Sequence, residues 1–202
     1  MIAGEPELTF LALADARARD LNEPLHDIPG LVLADPDGGL MRTARRAPMR
    51  ELGGLPLPAW DLVDVDSYAS AWRGAHSRFS WNVVTSRGCP FACNWCAKPI
   101  FGRRYARRSA IDVAEELRRL KVSIKPDHIW FADDIFGLTT GWTLDFARAV
   151  LERDARIPFM MQSRANLMTP EVVAALADAG AEEVWMGVES GSQRILNAMD
   201  MP

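Results

Sequence analysis

From residue 81 onward the chain alternates short apolar runs with amphipathic stretches, and no other feature narrows the possible folds so far. The apolar runs at 81–85, 128–132, 157–162 and 183–188 carry aromatic or β-branched side chains, as strands do. Helical stretches follow at 109–121, 142–153, 170–179 and from Ser192 onward. Their ends are marked. Ser109 with Asp112 has the capping-box pattern, Thr169 is a good N-cap ahead of Pro170, and Gly180 stops the helix before it. A helix after each strand carries the chain back along the sheet, so an α/β fold with parallel strands is expected. Four βα units are too few to close the common eight-stranded barrel. An open parallel sheet would leave a bare edge strand, so a fragment of a larger fold is expected.

The first third reads differently. Leu8, Leu11, Ala12 and Ala16 share one helical face, with acids in the first turn, which predicts an amphipathic helix over 5–19. Leu31-Val32-Leu33 leads through Asp35-Pro36-Asp37-Gly38-Gly39 to Leu40-Met41, a hairpin signal. Residues 42–66 are rich in Pro, Arg and Gly, which predicts an irregular connector in which Trp60 docks. The expected division is a small N-terminal unit over 1–43, a Pro-rich linker over 44–75 and a core over 76–202. Hydrophobic residues at 49% and charged residues at 25% exclude a disordered chain, and a net charge of −4 argues against non-specific nucleic-acid binding. No apolar run approaches the roughly 18 residues of a membrane span, and the N-terminus lacks the basic and apolar regions of a secretory signal.

The only cysteines are Cys89, Cys93 and Cys96, on the loop directly after the first strand of the alternating region. A CxxxCxxC run puts three thiolates on one short loop, close enough for a metal centre but one ligand short of closing it. A structural zinc or iron–sulfur site normally takes about four protein ligands. Three soft donors therefore suggest an iron–sulfur cluster with an open coordination position. The alternative is a zinc site completed by His76 or His128. Clustered thiols without a disulfide framework point to a reducing compartment, so a cytoplasmic protein is expected.

Three further segments end the later strands: Phe131-Ala132-Asp133-Asp134-Ile135-Phe136, Gln162-Ser163-Arg164-Ala165-Asn166 and Gly187-Val188-Glu189-Ser190-Gly191-Ser192. Parallel βα folds hold their functional residues at such strand ends. With the cysteine loop, they resemble the cobalamin-dependent branch of the radical SAM superfamily, which includes the anaerobic magnesium-protoporphyrin monomethyl ester cyclase and many methyltransferases. The resemblance implies a partial radical SAM (βα) barrel. It also implies that residues 1–43 are the C-terminal remnant of a Rossmann-like cobalamin-binding domain, through Gly4-Glu5-Pro6-Glu7, Ile28-Pro29-Gly30-Leu31 and Leu57-Pro58-Ala59-Trp60-Asp61.

In that family the three cysteines hold a 4Fe-4S cluster, whose fourth iron chelates the amino and carboxylate groups of S-adenosylmethionine. One electron then cleaves the sulfonium to a 5′-deoxyadenosyl radical, or the cofactor serves methyl transfer with cobalamin. The resemblance sets Trp95 near the adenine and Asp133 or Asp134 against the methionyl ammonium, as a carboxylate suits a cation. Arg164 and Ser163 then suit the methionyl carboxylate, and Glu189 a ribose hydroxyl. Gly187 and Gly191 permit close backbone approach. Arg103, Arg104, Arg107 and Arg108 read as a solvated basic loop.

An electron donor such as flavodoxin or ferredoxin and a small-molecule or cofactor-type substrate are implied as partners. The branch's Asp-x-His-x-x-Gly string is absent, and His26, His76 and His128 lack its context, so cobalamin is expected only in a full-length parent. The competing reading is a non-catalytic metal-binding module. A methylthiotransferase-like protein ranks low, since no cysteines remain for a second cluster.

Overall fold

The computed structural model describes residues 1–96, 101 and 103–200. The chain divides into two units, Met1–Arg50 and Glu51–Pro202. In the first, helix α1 (Glu7–Arg19) precedes strands β1 (Val32–Ala34) and β2 (Leu40–Arg42), which form the expected antiparallel hairpin. The helix begins two residues later than the pattern suggests, because Pro6 occupies the N-cap and the Glu5 carboxylate accepts from the Met49 amide instead. Gly30 (φ +87°) is required where it stands. A Cβ there would lie 2.7 Å from Thr9 Oγ1, which donates to the Pro29 carbonyl.

The second unit opens with a 3-10 turn at Trp60–Leu62 and helix α2 (Val65–His76). This helix lies within the span read as connector. The prolines end at Pro58, and Asp64 then caps α2 by accepting from the Ser67 amide at 3.2 Å. Strand β3 (Ser80–Val83) follows, then two short strands, β4 (Ser86–Arg87) and β5 (Ala106–Arg107), which pair with each other. The chain continues through α3 (Ala110–Ser123), β6 (His128–Phe131), α4 (Thr140–Glu152), β7 (Phe159–Ser163), α5 (Pro170–Ala179), β8 (Ala181–Met186) and α6 (Gln193–Ala198).

The main sheet has the order β3-β6-β7-β8, and every pairing in it is parallel. The expected βα alternation thus holds, with each strand beside its predecessor. Ser109 and Thr169 cap α3 and α5 as their sequences predict. At Gly180 (φ +112°) a Cβ would meet the Ile157 carbonyl at 2.9 Å, so only glycine makes that turn from α5 into β8.

Helix α4 packs against both α3 and α5. Beneath it Phe131, Phe136, Phe146 and Phe159 are fully buried and meet largely edge-to-face, with centroids 4.7–6.2 Å apart. The core thus sits on the helix-covered side of β6 and β7 and holds their C-terminal ends in place.

Candidate functional site

All four strands of the sheet run the same way, so their C-terminal ends share one edge. The cysteine loop leaves the sheet at that edge. Its base is closed by the pairing of Ser86 with Arg107 and Arg87 with Ala106. Arg108 secures the return: its amide donates to the Thr85 carbonyl at 2.9 Å, and its guanidinium reaches the Val84 carbonyl and the buried Glu116 carboxylate. The indole of Trp142 donates to the Arg108 carbonyl at 2.9 Å.

Against this edge lies a cavity of about 490 Å³. Cys89, Cys93 and Cys96 all line it, together with Trp95, Asp134, Ser163, Arg164 and Glu189. Eight of the nine residues singled out from the sequence therefore share one cavity. Asp133 does not line it. Its carboxylate is buried beneath the loop, where it accepts from the amides and hydroxyls of Thr85 and Ser86. Burial still pushes its carboxyl up to about 6, against the four donors.

The sequence reading passed over Ile135, Gln162, Trp185 and Met186, which also line the cavity. Ile135 and Gln162 stand in the strand-end segments next to Asp134 and Ser163, whereas Trp185 and Met186 lie at the end of β8, ahead of the segment quoted from the sequence. Gly187 lines the cavity as well.

The local chemistry is distinct at each wall. Burial pushes the Cys89 thiol up, with Asp134 and Cys93 acting the same way, while the Phe91 amide and Arg164 oppose. Burial likewise raises Asp134, against a hydrogen bond from the Gly88 amide. Ser163 already donates to the Phe136 carbonyl at 3.1 Å, so toward the cavity its hydroxyl is left to accept. Glu189 stands in the left-handed region at φ +58°, just past the end of β8. Its carboxylate folds back over Gly187, whose missing Cβ would lie 2.7 Å from Glu189 Oε1.

The donor set decides which metal centre fits. Among the described residues no three His, Cys, Asp or Glu side chains already converge on one point. Among the described residues no histidine lines the cavity. His76 packs at a tilt against Trp72, and His128 is buried at the start of β6, the opposite edge of the sheet, beside the Ser80 hydroxyl at 2.9 Å. A Cys₃His zinc site thus lacks its fourth ligand. Three thiols facing one roomy cavity fit an iron–sulfur cluster with one iron left open.

The radical SAM superfamily profile matches residues 83–202. An uncharacterized methyltransferase of Pyrococcus horikoshii is 32% identical over 197 residues, covering 97% of this chain and 41% of that protein. The anaerobic magnesium-protoporphyrin IX monomethyl ester cyclase of Rubrivivax gelatinosus is 25% identical over 211 residues, covering 99% of this chain and 36% of the cyclase. In structure, the radical S-adenosylmethionine methyltransferase TsrM of Kitasatospora setae, solved with cobalamin and a 4Fe-4S cluster, aligns at a TM-score of 0.76 and 16% identity. The alignment covers 99% of this chain and 39% of TsrM. The chain spans about two fifths of the length of each of these three proteins. It belongs to the radical SAM superfamily and resembles that family's cobalamin-dependent branch.

Proposed function

We propose that the chain holds a 4Fe-4S cluster on Cys89, Cys93 and Cys96 and binds S-adenosylmethionine in the adjoining cavity. The observation that carries this reading is the cavity itself, where three thiols meet a row of polar groups from the ends of β6, β7 and β8 and, among the described residues, no fourth cysteine and no histidine. When bound, the cluster supplies the one-electron reduction that breaks the cofactor's sulfonium bond.

The chain's own residues bind and orient. Asp134 offers a carboxylate to the methionyl ammonium, and Arg164 offers a guanidinium to the methionyl carboxylate. Ser163 accepts a hydrogen bond, having already spent its proton on Phe136. Glu189 suits the ribose hydroxyls, and exposed Trp95 offers a face for the adenine. Ile135, Trp185 and Met186 add apolar surface to the wall against which the cofactor would lie.

In the whole protein we assign methyl transfer with cobalamin, since the methyltransferase is more similar to this chain than the cyclase is, at 32% against 25% identity. On this reading residues 1–43 are the end of a cobalamin-binding domain, 44–75 the connection and 76–202 the radical SAM core. A small-molecule substrate and a flavodoxin- or ferredoxin-type electron donor complete the system. Among the described residues no helix is long and apolar enough to cross a membrane. A reducing compartment such as the cytoplasm suits such a centre.

Anaerobic reconstitution with iron and sulfide tests the reading. A reduced-cluster EPR signal that changes on adding S-adenosylmethionine is expected, and Cys89→Ala, Cys93→Ala or Cys96→Ala should each abolish iron incorporation. One tightly bound zinc with no response to the cofactor would overturn it in favour of a non-catalytic metal module.

A further inference from the structure

We infer that Asp133 is a positioning residue whose carboxylate anchors the first turn of the cysteine loop, rather than a contact to the cofactor. The inference rests on the cluster reading above for its function, though not for its geometry. The register of the sheet explains the anchor. Val83 pairs with Phe131 as β3 and β6 end, and two residues further along each strand stand Thr85 and Asp133. A regular ladder would continue there. Instead the chain turns away at Val84, and the Asp133 side chain takes up the donors that the ladder no longer serves.

Both oxygens are used. Oδ1 accepts from the Thr85 amide at 2.9 Å, from the Ser86 amide and from Ser86 Oγ at 2.8 Å, while Oδ2 accepts from Thr85 Oγ1 at 3.0 Å. Thr85, Ser86 and Asp133 are 1%, 2% and 3% exposed, so no bulk water can replace a lost partner. The Thr85 carbonyl is held in turn by the Arg108 amide at 2.9 Å, on the return limb of the loop. Ser86 is three residues before Cys89, with only Arg87 and Gly88 between them. A fixed Thr85–Ser86 turn therefore fixes where the first thiol begins.

Asparagine preserves this anchor and removes the charge. Its amide oxygen accepts from the Thr85 and Ser86 amides, and its NH₂ donates to Thr85 Oγ1 once that hydroxyl turns round. Alanine leaves two buried amides without acceptors.

The test pairs Asp133→Ala with Asp133→Asn. Hydrogen exchange on the apo chain should show the Thr85 and Ser86 amides of D133A exchanging about tenfold faster or more, as loss of one buried bond implies. The Ile129 and Phe131 amides inside β6 should exchange as in the wild type. After reconstitution, D133A should hold less than half the wild-type iron and sulfide, with a broadened EPR spectrum. D133N should restore both and keep its response to S-adenosylmethionine, which a contact needing the negative charge would lose.

Equal exchange and equal cluster content in D133A overturn the anchor, as does a D133N protein as defective as D133A. A wild type that takes no cluster while D133A still loosens Thr85 and Ser86 overturns the cluster reading and supports the anchor. If D133A does not fold, D133N carries the test: wild-type exchange at Thr85 and Ser86 with wild-type cluster content and cofactor response is expected, and a D133N protein that keeps its cluster but loses the response to S-adenosylmethionine overturns the positioning role.

Discussion

The guanidinium carbon of Arg164 sits 4.0 Å from the centroid of the Phe91 ring, joining the end of β7 to the middle of the cysteine loop. Phe91 stands between Cys89 and Cys93, and its amide points at the Cys89 sulfur. The pair therefore ties the loop to the strand end that lines the cavity. Both side chains are partly buried, which raises the worth of a cation–π contact above its value in open water.

Phe91→Leu keeps the apolar bulk and removes the aromatic face. A double-mutant cycle of Phe91→Leu with Arg164→Gln should give a coupling of about 1 kcal/mol. The Phe91→Leu melting temperature should fall by about 2–4 °C. Additive single effects would show that the contact carries no energy.

Asp133 makes a second prediction, on pH. Its carboxyl is pushed up by burial to about 6 in the folded chain, above the ordinary aspartate value of 3.8. The native state therefore keeps a proton that the unfolded chain has lost across that interval. The stability this proton confers is full below about pH 4 and is lost as pH rises through about 6. Tyr105, beside it, is pushed up by burial and so stays neutral throughout. The urea stability of the wild type relative to Asp133→Asn should thus decline between pH 4 and 7, by at most on the order of 3 kcal/mol. A difference that is flat with pH, or that grows, would contradict it.

How far the sequence could be read follows from what each signal depends on. The caps at Ser109 and Thr169, the turn at Gly180 and the four-strand alternation were legible because each is set by local chemistry. The cavity was legible as well, since residues at the ends of parallel strands converge wherever the sheet is regular. Asp133 and Asp134 could not be told apart in sequence. Which of two adjacent acids faces the cavity depends on strand register, and the β3–β6 pairing turns Asp133 toward Thr85. The β4–β5 pairing was equally hidden, because two-residue strands some twenty residues apart leave no periodicity to find. Helix α2 was masked by the proline-rich stretch before it.

The aromatic core supplies a third prediction. Phe146 is fully buried between Phe131, Phe136 and Phe159, and it stacks on Trp142 with ring planes 3° apart. Phe146→Ala empties the junction between α4 and the strands that carry the site. Such truncations cost about 3–5 kcal/mol, and urea denaturation should show a loss in that range with little change in slope. A loss below about 1 kcal/mol would mean the cluster repacks freely, contrary to its interlocked geometry.

Gly187 separates binding from stability. A Cβ at this position would lie 2.7 Å from Glu189 Oε1, and the nearest other atom, 3.8 Å away, belongs to the same carboxyl group. Only the far end of a flexible side chain needs to move, and β8 ends one residue earlier, at Met186. Gly187→Ala should therefore change unfolding stability by no more than about 0.5 kcal/mol. The displaced carboxylate, however, belongs to the cavity wall proposed to meet the ribose. Cluster content after reconstitution should match the wild type, because no cysteine is touched. The concentration of S-adenosylmethionine needed for half the EPR change should rise by about tenfold, the loss expected for one charge-assisted hydrogen bond of roughly 1.5 kcal/mol. Unchanged cofactor affinity in a folded, cluster-loaded Gly187→Ala protein would remove Glu189 from the binding site, while leaving the three cysteines in theirs.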